Sequence, residues 1–201
     1  MSPRPDVSEE RKYQILDAAE DVFATKGLDG ARMDDIAEHT KLSKGTLYLY
    51  FKNKDELIIA LMERVFRREF SSWDDLRIED GGTARAVVEE FMESSIKGLN
   101  NMMRLMPIAY EFLSLAFRNS LVQKVLQQYY GHYMTILTKI IQQGIDRGEF
   151  QQVEAEDIAI AVGAIFEGTI LVWVYSKQRI DLQHNIRTGV AFVLDGVQAQ
   201  A

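Results

Sequence analysis

Apolar residues recur at helical spacing from one end of the chain to the other. Ile15, Ala18, Ala19, Val22 and Phe23 share one face of a first helix. Asp6 can cap it, with Glu9 three residues on, and Gly27 and Gly30 punctuate its end. Met33, Ile36 and Ala37 give a shorter second helix over 32–40, opened by the acidic pair Asp34 and Asp35 at the positive helix end. Residues 40–43 read as a turn, Ser43 as the N-cap of a third helix over 44–51, and Asn53 as the cap of a fourth. Leu57, Leu61 and Val65 make that fourth helix's stripe. Residues 71–82 are polar, acidic and closed by two glycines, which predicts a linker. Helical patterns then cover 86–100, with Val87, Phe91 and Ile96 inward, and a pair over 102–119 that Pro107 interrupts. The longest runs over 121–147, with Val122, Val125, Tyr129, Tyr133, Ile136, Ile140 and Ile141 on one face, closed by Gly144 and Arg147-Gly148. The segment 154–176 is the most apolar, and 181–196 closes the series. No stretch alternates with period two, so the pattern predicts an all-α protein.

Composition changes this picture in two places. The 201 residues carry a net charge of -7, an unpromising balance for a polyanion. Yet Lys41, Lys44, Lys52 and Lys54 fall in a stretch with no acid, and phosphate contact needs a local basic surface only. The chain has no cysteine, which excludes disulfides and thiolate metal sites and permits a reducing cytoplasm, the expected location. The N-terminus lacks the apolar core of a signal peptide, and residues 1–5 read as an arm in which Arg4 can reach a phosphate. Between Ile158 and Tyr175 Glu167 is the single charge. That acid and two internal glycines favour a buried or interface helix over a membrane span.

The stretch from Met33 to Leu57 carries the clearest chemistry. Acid sits at its two ends, and lysines interleave with aromatics in the middle. That is the composition of a helix-turn-helix whose second helix enters the DNA major groove. Residues 1 to about 62 resemble the DNA-binding domain of TetR-type transcriptional repressors. The carriers are Ile15, Ala18-Ala19, Phe23 and Gly27-Leu28, then Asp35-Ile36-Ala37, then Leu42 through Phe51, then Lys54 through Leu57. The remainder resembles the family's ligand and dimer domain in helix count, in the break at Gly144 and Arg147 to Phe150, and in its apolar penultimate helix.

The resemblance implies a three-helix DNA-binding domain over 1–53 and a helical-bundle domain over 54–201 for ligand binding and dimerisation, joined by a connecting helix over 54–70. It implies a homodimer on a palindromic double-stranded operator, released when a small-molecule effector enters the C-terminal domain. A same-fold regulator controlled by a protein partner is the alternative. Lys44, Thr46 and Tyr48 match positions that face bases; Ser43, Tyr50 and Lys54 match phosphate contacts; Gly45 matches the point of closest approach. Two departures stand out. Lys41 occupies a turn position where the family has Gly, so it must hold a costly conformation or the turn differs. Ala31-Arg32 replaces the Ser or Thr that caps the second helix, and Arg32 can supply the phosphate contact but not the cap.

In the C-terminal domain a methionine-rich, aromatic set can line an apolar pocket: Met92, Ile96, Met103, Met106, Tyr110, Phe166 and Trp173, with Glu111 and Glu167 as carboxylates inside apolar stretches. Such a carboxylate is solvated, paired, or placed for a cationic or hydrogen-bonding ligand. The last two helices are expected to meet those of a second copy through Ile158, Val162, Ile165, Thr169, Ile186, Val190, Val193 and Leu194. His39, His132 and His184 lie far apart in sequence, and no motif for a metal site, catalytic site or cofactor appears.

Overall fold

The computed structural model describes residues 7–70, 73, 76–79 and 81–199. The expected Asp6 cap and the Arg4 arm lie outside them. The helices are α1 (Val7–Gly30), α2 (Met33–Thr40), α3 (Lys44–Tyr50), α4 (Lys54–Phe70), α5 (Ala84–Ala116), α6 (Ser120–Asp146), α7 (Ala155–Tyr175) and α8 (Leu182–Val197). Among the described residues the sole extended pairing is an isolated antiparallel bridge between Phe150 and Gln198. The fold is all-α.

One helix corrects the sequence reading. Residues 84–116 form a single helix, without the expected breaks at Asn100 or Pro107. Pro107 has no N–H to offer and removes one backbone bond. The helix survives because packing, not propensity, stabilises long helices: Val88, Phe91 and Met92 are buried on one arm, Ile108 and Phe112 on the other. The expected linker is also partly anchored. Trp73 is buried and lies with its ring centroid 4.4 Å from that of Phe91.

The chain divides into two compact units. The first takes residues 1–69 and 100–128, the second residues 70–99 and 129–201. In the first unit Ile15, Ala19, Phe23, Ile36, Leu47, Phe51, Leu57 and Leu61 form the core, joined by Ile108, Phe112 and Val122. Arg64 ties α4 to α1, its guanidinium donating to Asp17 Oδ1 at 2.7 Å and Glu20 Oε2 at 3.0 Å. Glu20 is buried, so this pairing settles a charge that would otherwise stand desolvated.

The second unit packs Val87, Val88, Phe91, Tyr133, Leu137, Ile140 and Ile141 with Ile158, Val162, Ile186, Val190 and Leu194. Asp181 caps α8, accepting the His184 N–H at 3.0 Å. Arg85 pairs with Asp195 at 2.7 Å, and Arg187 grips Glu93 with two nitrogens. Helix α7 packs against α6 at Gly163, where an added Cβ would stand 2.2 Å from Tyr133 Oη.

Candidate nucleic-acid interface

Helix α2 opens at Arg32 in extended conformation, with no side-chain bond to the helix end. An arginine has donors only and cannot serve the helix's orphan N–H groups. Asp35 does the tying instead: its Oδ2 accepts the Arg32 N–H at 2.8 Å, while Oδ1 accepts Lys26 Nζ at 2.8 Å. The Lys26 ammonium and that backbone bond hold the Asp35 carboxyl below the usual carboxylate range. Asp35 thus supplies the half of a capping box that serves the N-cap N–H, and no side chain takes the acceptor role of the missing Ser or Thr.

The turn ends in the left-handed region. Lys41 has φ 57° and ψ 26°, the one non-glycine residue with positive φ among the described residues. The sequence left two possibilities for Lys41, and the strained one is adopted. Its N–H caps α2 on Glu38 O at 3.1 Å, and Thr40, buried, returns its hydroxyl to Ile36 O and Ala37 O. Ser43 starts α3 as expected: its Oγ accepts the Thr46 N–H at 3.1 Å and lies 2.8 Å from Thr46 Oγ1.

Inside α3, Leu47 is fully buried, and Phe51 caps it from the core. Those two fix which side of the helix faces out. Gly45 is exposed, and a Cβ there would meet nothing closer than Ser43 Oγ at 3.8 Å. The fold therefore places no demand for glycine at 45. Tyr48 is 46% exposed, whereas Tyr50 is half-buried and packed on the core. Lys44 reaches across to Asp34, Nζ to Oδ2 at 2.6 Å, with both side chains solvent-exposed. One residue of this face escaped the sequence reading. Leu49 is 84% exposed, although a leucine in a helical pattern ordinarily reads as core. The signal was available: Leu49 sits two residues from both Leu47 and Phe51, so all three cannot share a face.

Lys54 is placed differently from a free phosphate ligand. Its Nζ donates to Leu28 O at 2.7 Å and to Ala31 O at 3.3 Å, clamping the segment between α1 and α2. Glu111 of α5 closes the same segment from the other side, its carboxylate accepting the Leu28 N–H. That carboxylate also explains Gly27. At φ 72° the backbone is left-handed, and a Cβ would meet Glu111 Oε1 at 2.9 Å. Glu111 is therefore engaged with the end of α1.

The remaining expected pocket residues fall in both units. Met103, Met106 and Tyr110 are half-buried in the first; Met92 and Ile96 are fully buried in the second, within its core. Phe166 is half-buried, and Trp173 carries Lys177 Nζ 4.6 Å from its ring centroid. Glu167 lies one turn after Gly163 at the edge of α7 that borders α6, its residue surface exposed but its carboxyl close enough to Tyr129 and Tyr133 to interact with both and be partly desolvated. Burial pushes the Glu167 carboxyl up. Burial first, and the Glu167 charge second, raise both tyrosines.

Of the expected partner-facing residues, Ile158, Val162, Ile186, Val190 and Leu194 are buried inside the protomer and present no surface to another chain. Ile165, Thr169 and Val193 are half-buried. The outward apolar side chains are others: Ile160, Leu171, Val172, Val174 and Tyr175 of α7 and Phe192 of α8, the last 71% exposed. Between α7 and α8 an open groove of about 270 Å³ is lined by Ala164, Ile165, Gly168, Thr169, Val172, Ile180 and Asn185. Helix α7 is also long and apolar enough to cross a membrane by length and composition, with a mean hydropathy of 2.0.

Known proteins share both parts of the chain. Residues 15–61 match the model of bacterial regulatory proteins of the tetR family, and residues 87–181 match that of the tetracyclin repressor-like C-terminal domain. The fatty acid metabolism regulator protein of Bacillus subtilis is 31% identical over 178 residues, covering 85% of this chain and 88% of that protein. A TetR transcription regulator from Haloarcula marismortui superposes with a TM-score of 0.85 at 20% identity, over 94% of this chain and 99% of that one. The transcriptional regulator FadR from Bacillus subtilis, solved in complex with stearoyl-CoA, superposes with a TM-score of 0.73 at 23% identity, over 92% and 99%.

Proposed function

The chain belongs to the tetR family of bacterial regulatory proteins, and from that premise we propose a homodimeric repressor that leaves a palindromic operator when a small apolar or amphipathic effector binds. The observation that carries the reading is the exposed face of α3. Lys44, Gly45, Tyr48 and Leu49 stand in solvent on a helix whose other side is locked by Leu47 and Phe51. A rigid, half-buried helix with donors and an aromatic on its free side suits the major groove. Ser43 and Tyr50 flank it as phosphate donors, Arg32 adds a cation at the start of α2, and the Lys54 ammonium, held on two carbonyls, keeps positive charge nearby.

Two heads must stand about one helical turn, ~34 Å, apart to read a palindrome. The exposed apolar side chains of α7 and α8 support an isologous pairing of two protomers through those helices. Coverage by a second copy also accounts for an apolar helix most of whose residues are not buried within the protomer. The repressor acts in the cytoplasm, beside its DNA. Control requires an effector with different affinity for the DNA-competent and DNA-incompetent states. Glu111 supplies a mechanical link: it belongs to α5, and it holds the Leu28 N–H beside α2. A shift of that stretch of α5 moves the support of α2 and α3. An acyl thioester is the effector class to test first, because a relative of similar fold carries stearoyl-CoA.

The test is fluorescence anisotropy on a duplex selected by this protein from a randomised pool, at fixed salt, with stearoyl-CoA or free coenzyme A added. Release by stearoyl-CoA alone is expected. Failure to prefer any duplex over random DNA overturns the regulator reading, and indifference to stearoyl-CoA overturns the effector class.

A further inference from the structure

Leu49 lies on the face of α3 that the preceding section assigns to DNA, and the inference rests on that assignment. At 3.6 residues per turn each step rotates 100°, so Leu49 is about 160° from both Leu47 and Phe51. Those two are buried, at 0% and 2% exposure, and define the inward direction. Leu49 therefore points almost directly away from the core, and its 84% exposure agrees. One turn earlier on the same ridge stands Gly45, which contributes no side chain. Tyr48 flanks the ridge at 46% exposure, and Lys44 turns aside to Asp34. The side chain that reaches furthest from α3 along its outward direction is thus an isobutyl group.

An isobutyl group cannot bond to the donors and acceptors of base edges. Facing them, it would desolvate polar atoms without replacing their hydrogen bonds. The major groove offers one apolar group, the C5 methyl of thymine. Phosphate is equally unsuitable as a partner, having only charged acceptors. We propose that Leu49 is a specificity-determining residue that packs on a thymine methyl in each operator half-site. The polar groups around it set the register, and Leu49 selects thymine where its ridge meets the base edges. The gain is the removal of one methyl from water, which converts to roughly fourfold in affinity per half-site.

The experiment uses the full-length protein and a duplex selected from a randomised pool by the wild type. Each thymine of a half-site is replaced in turn by deoxyuridine, which deletes the methyl and leaves the hydrogen-bonding pattern intact. Anisotropy titrations at fixed salt compare wild type with Leu49→Ala, and thermal melts compare their stability. The expected result is one position per half-site where deoxyuridine weakens the wild type roughly fourfold while Leu49→Ala binds both duplexes alike. The variant melts with the wild type, because the side chain is exposed. If every deoxyuridine duplex binds the wild type within twofold, or if Leu49→Ala shows the same methyl dependence as wild type, the inference is overturned. A control separates this from the parent reading. Loss of binding in Tyr48→Ala with no methyl effect removes Leu49 alone; the absence of any selected duplex removes both.

Discussion

Helices α3 and α7 both carry leucine into solvent, in opposite settings. On α3 the exposed Leu49 is flanked by Tyr48, Gly45 and Lys44, with the hydroxyls of Ser43 and Thr46 beside them. On α7 the exposed Leu171 continues a stripe through Ile160, Ala164 and Tyr175, interrupted by one acid, Glu167, with Val172 and Val174 exposed on either flank. The first surface suits a partner that is mostly polar with one apolar point. The second suits a partner that is apolar along several turns. Exposure alone does not distinguish a reading surface from an assembly surface; the residues one turn away do.

Breaking the α7 stripe has the largest expected effect. On the proposed dimer, Leu171→Arg is expected to shift sedimentation velocity from dimer to monomer. It lowers operator affinity by about 100-fold or more, since the second head loses its tether. On the other surface, Tyr48→Ala weakens operator binding by about 10- to 100-fold, the cost of one good base contact, and leaves the melting curve in place. A dimer that survives Leu171→Arg would remove the contrast between the two helices. The inner side of α7 sharpens it from behind. Gly163→Val drives new atoms towards Tyr133 Oη, 2.2 Å from the first added carbon, and is expected to cost about 1–3 kcal/mol in chemical denaturation.

Smaller effects separate strain from charge. Lys41→Gly relieves a left-handed lysine and is expected to stabilise the fold by up to about 1 kcal/mol in the same assay. The smallest concerns Glu167, the acid at the edge of α7 beside Tyr129 and Tyr133. Its carboxyl is raised by burial, so the folded state holds the proton more tightly than the unfolded chain. The stability contributed by that proton is present at acid pH and declines as pH rises through the raised value. Glu167→Gln is therefore expected to flatten the fall in melting temperature as pH rises above the ordinary glutamate range, with no change at the acid end.

Much of the first unit was legible because its helices are amphipathic. Leu47 and Phe51 face in and Gly45 faces out, as the period predicts, whereas Leu49 faces out although its residue type reads as core. Ser43 and Asn53 cap because their side chains act within their own turn, at 3.1 and 2.8 Å. Helix α7 offered no such phase. It is apolar on every side, so periodicity could not choose between the face that packs Val162 inward and the face that exposes Leu171. Hence residues buried in the protomer were expected at the partner surface. The contacts of Glu111 and Lys54 were not legible for another reason. Their partners are backbone groups of residues 28 and 31, remote in sequence, and the backbone carries no side-chain signature. Pro107 misled because a local breaker is overruled when both arms of a helix are buried.

The pairing of Lys44 with Asp34 reaches beyond geometry into the thermodynamics of ions. Salt dependence of DNA binding counts ions released when cations replace them at the phosphates. A lysine already neutralised by a neighbouring carboxylate, or an ammonium seated on two carbonyl oxygens as in Lys54, brings a different ion inventory to that exchange. Removing Asp34 should therefore steepen the slope of log affinity against log salt. A plot of that kind reports how the positive charges were occupied before the DNA arrived.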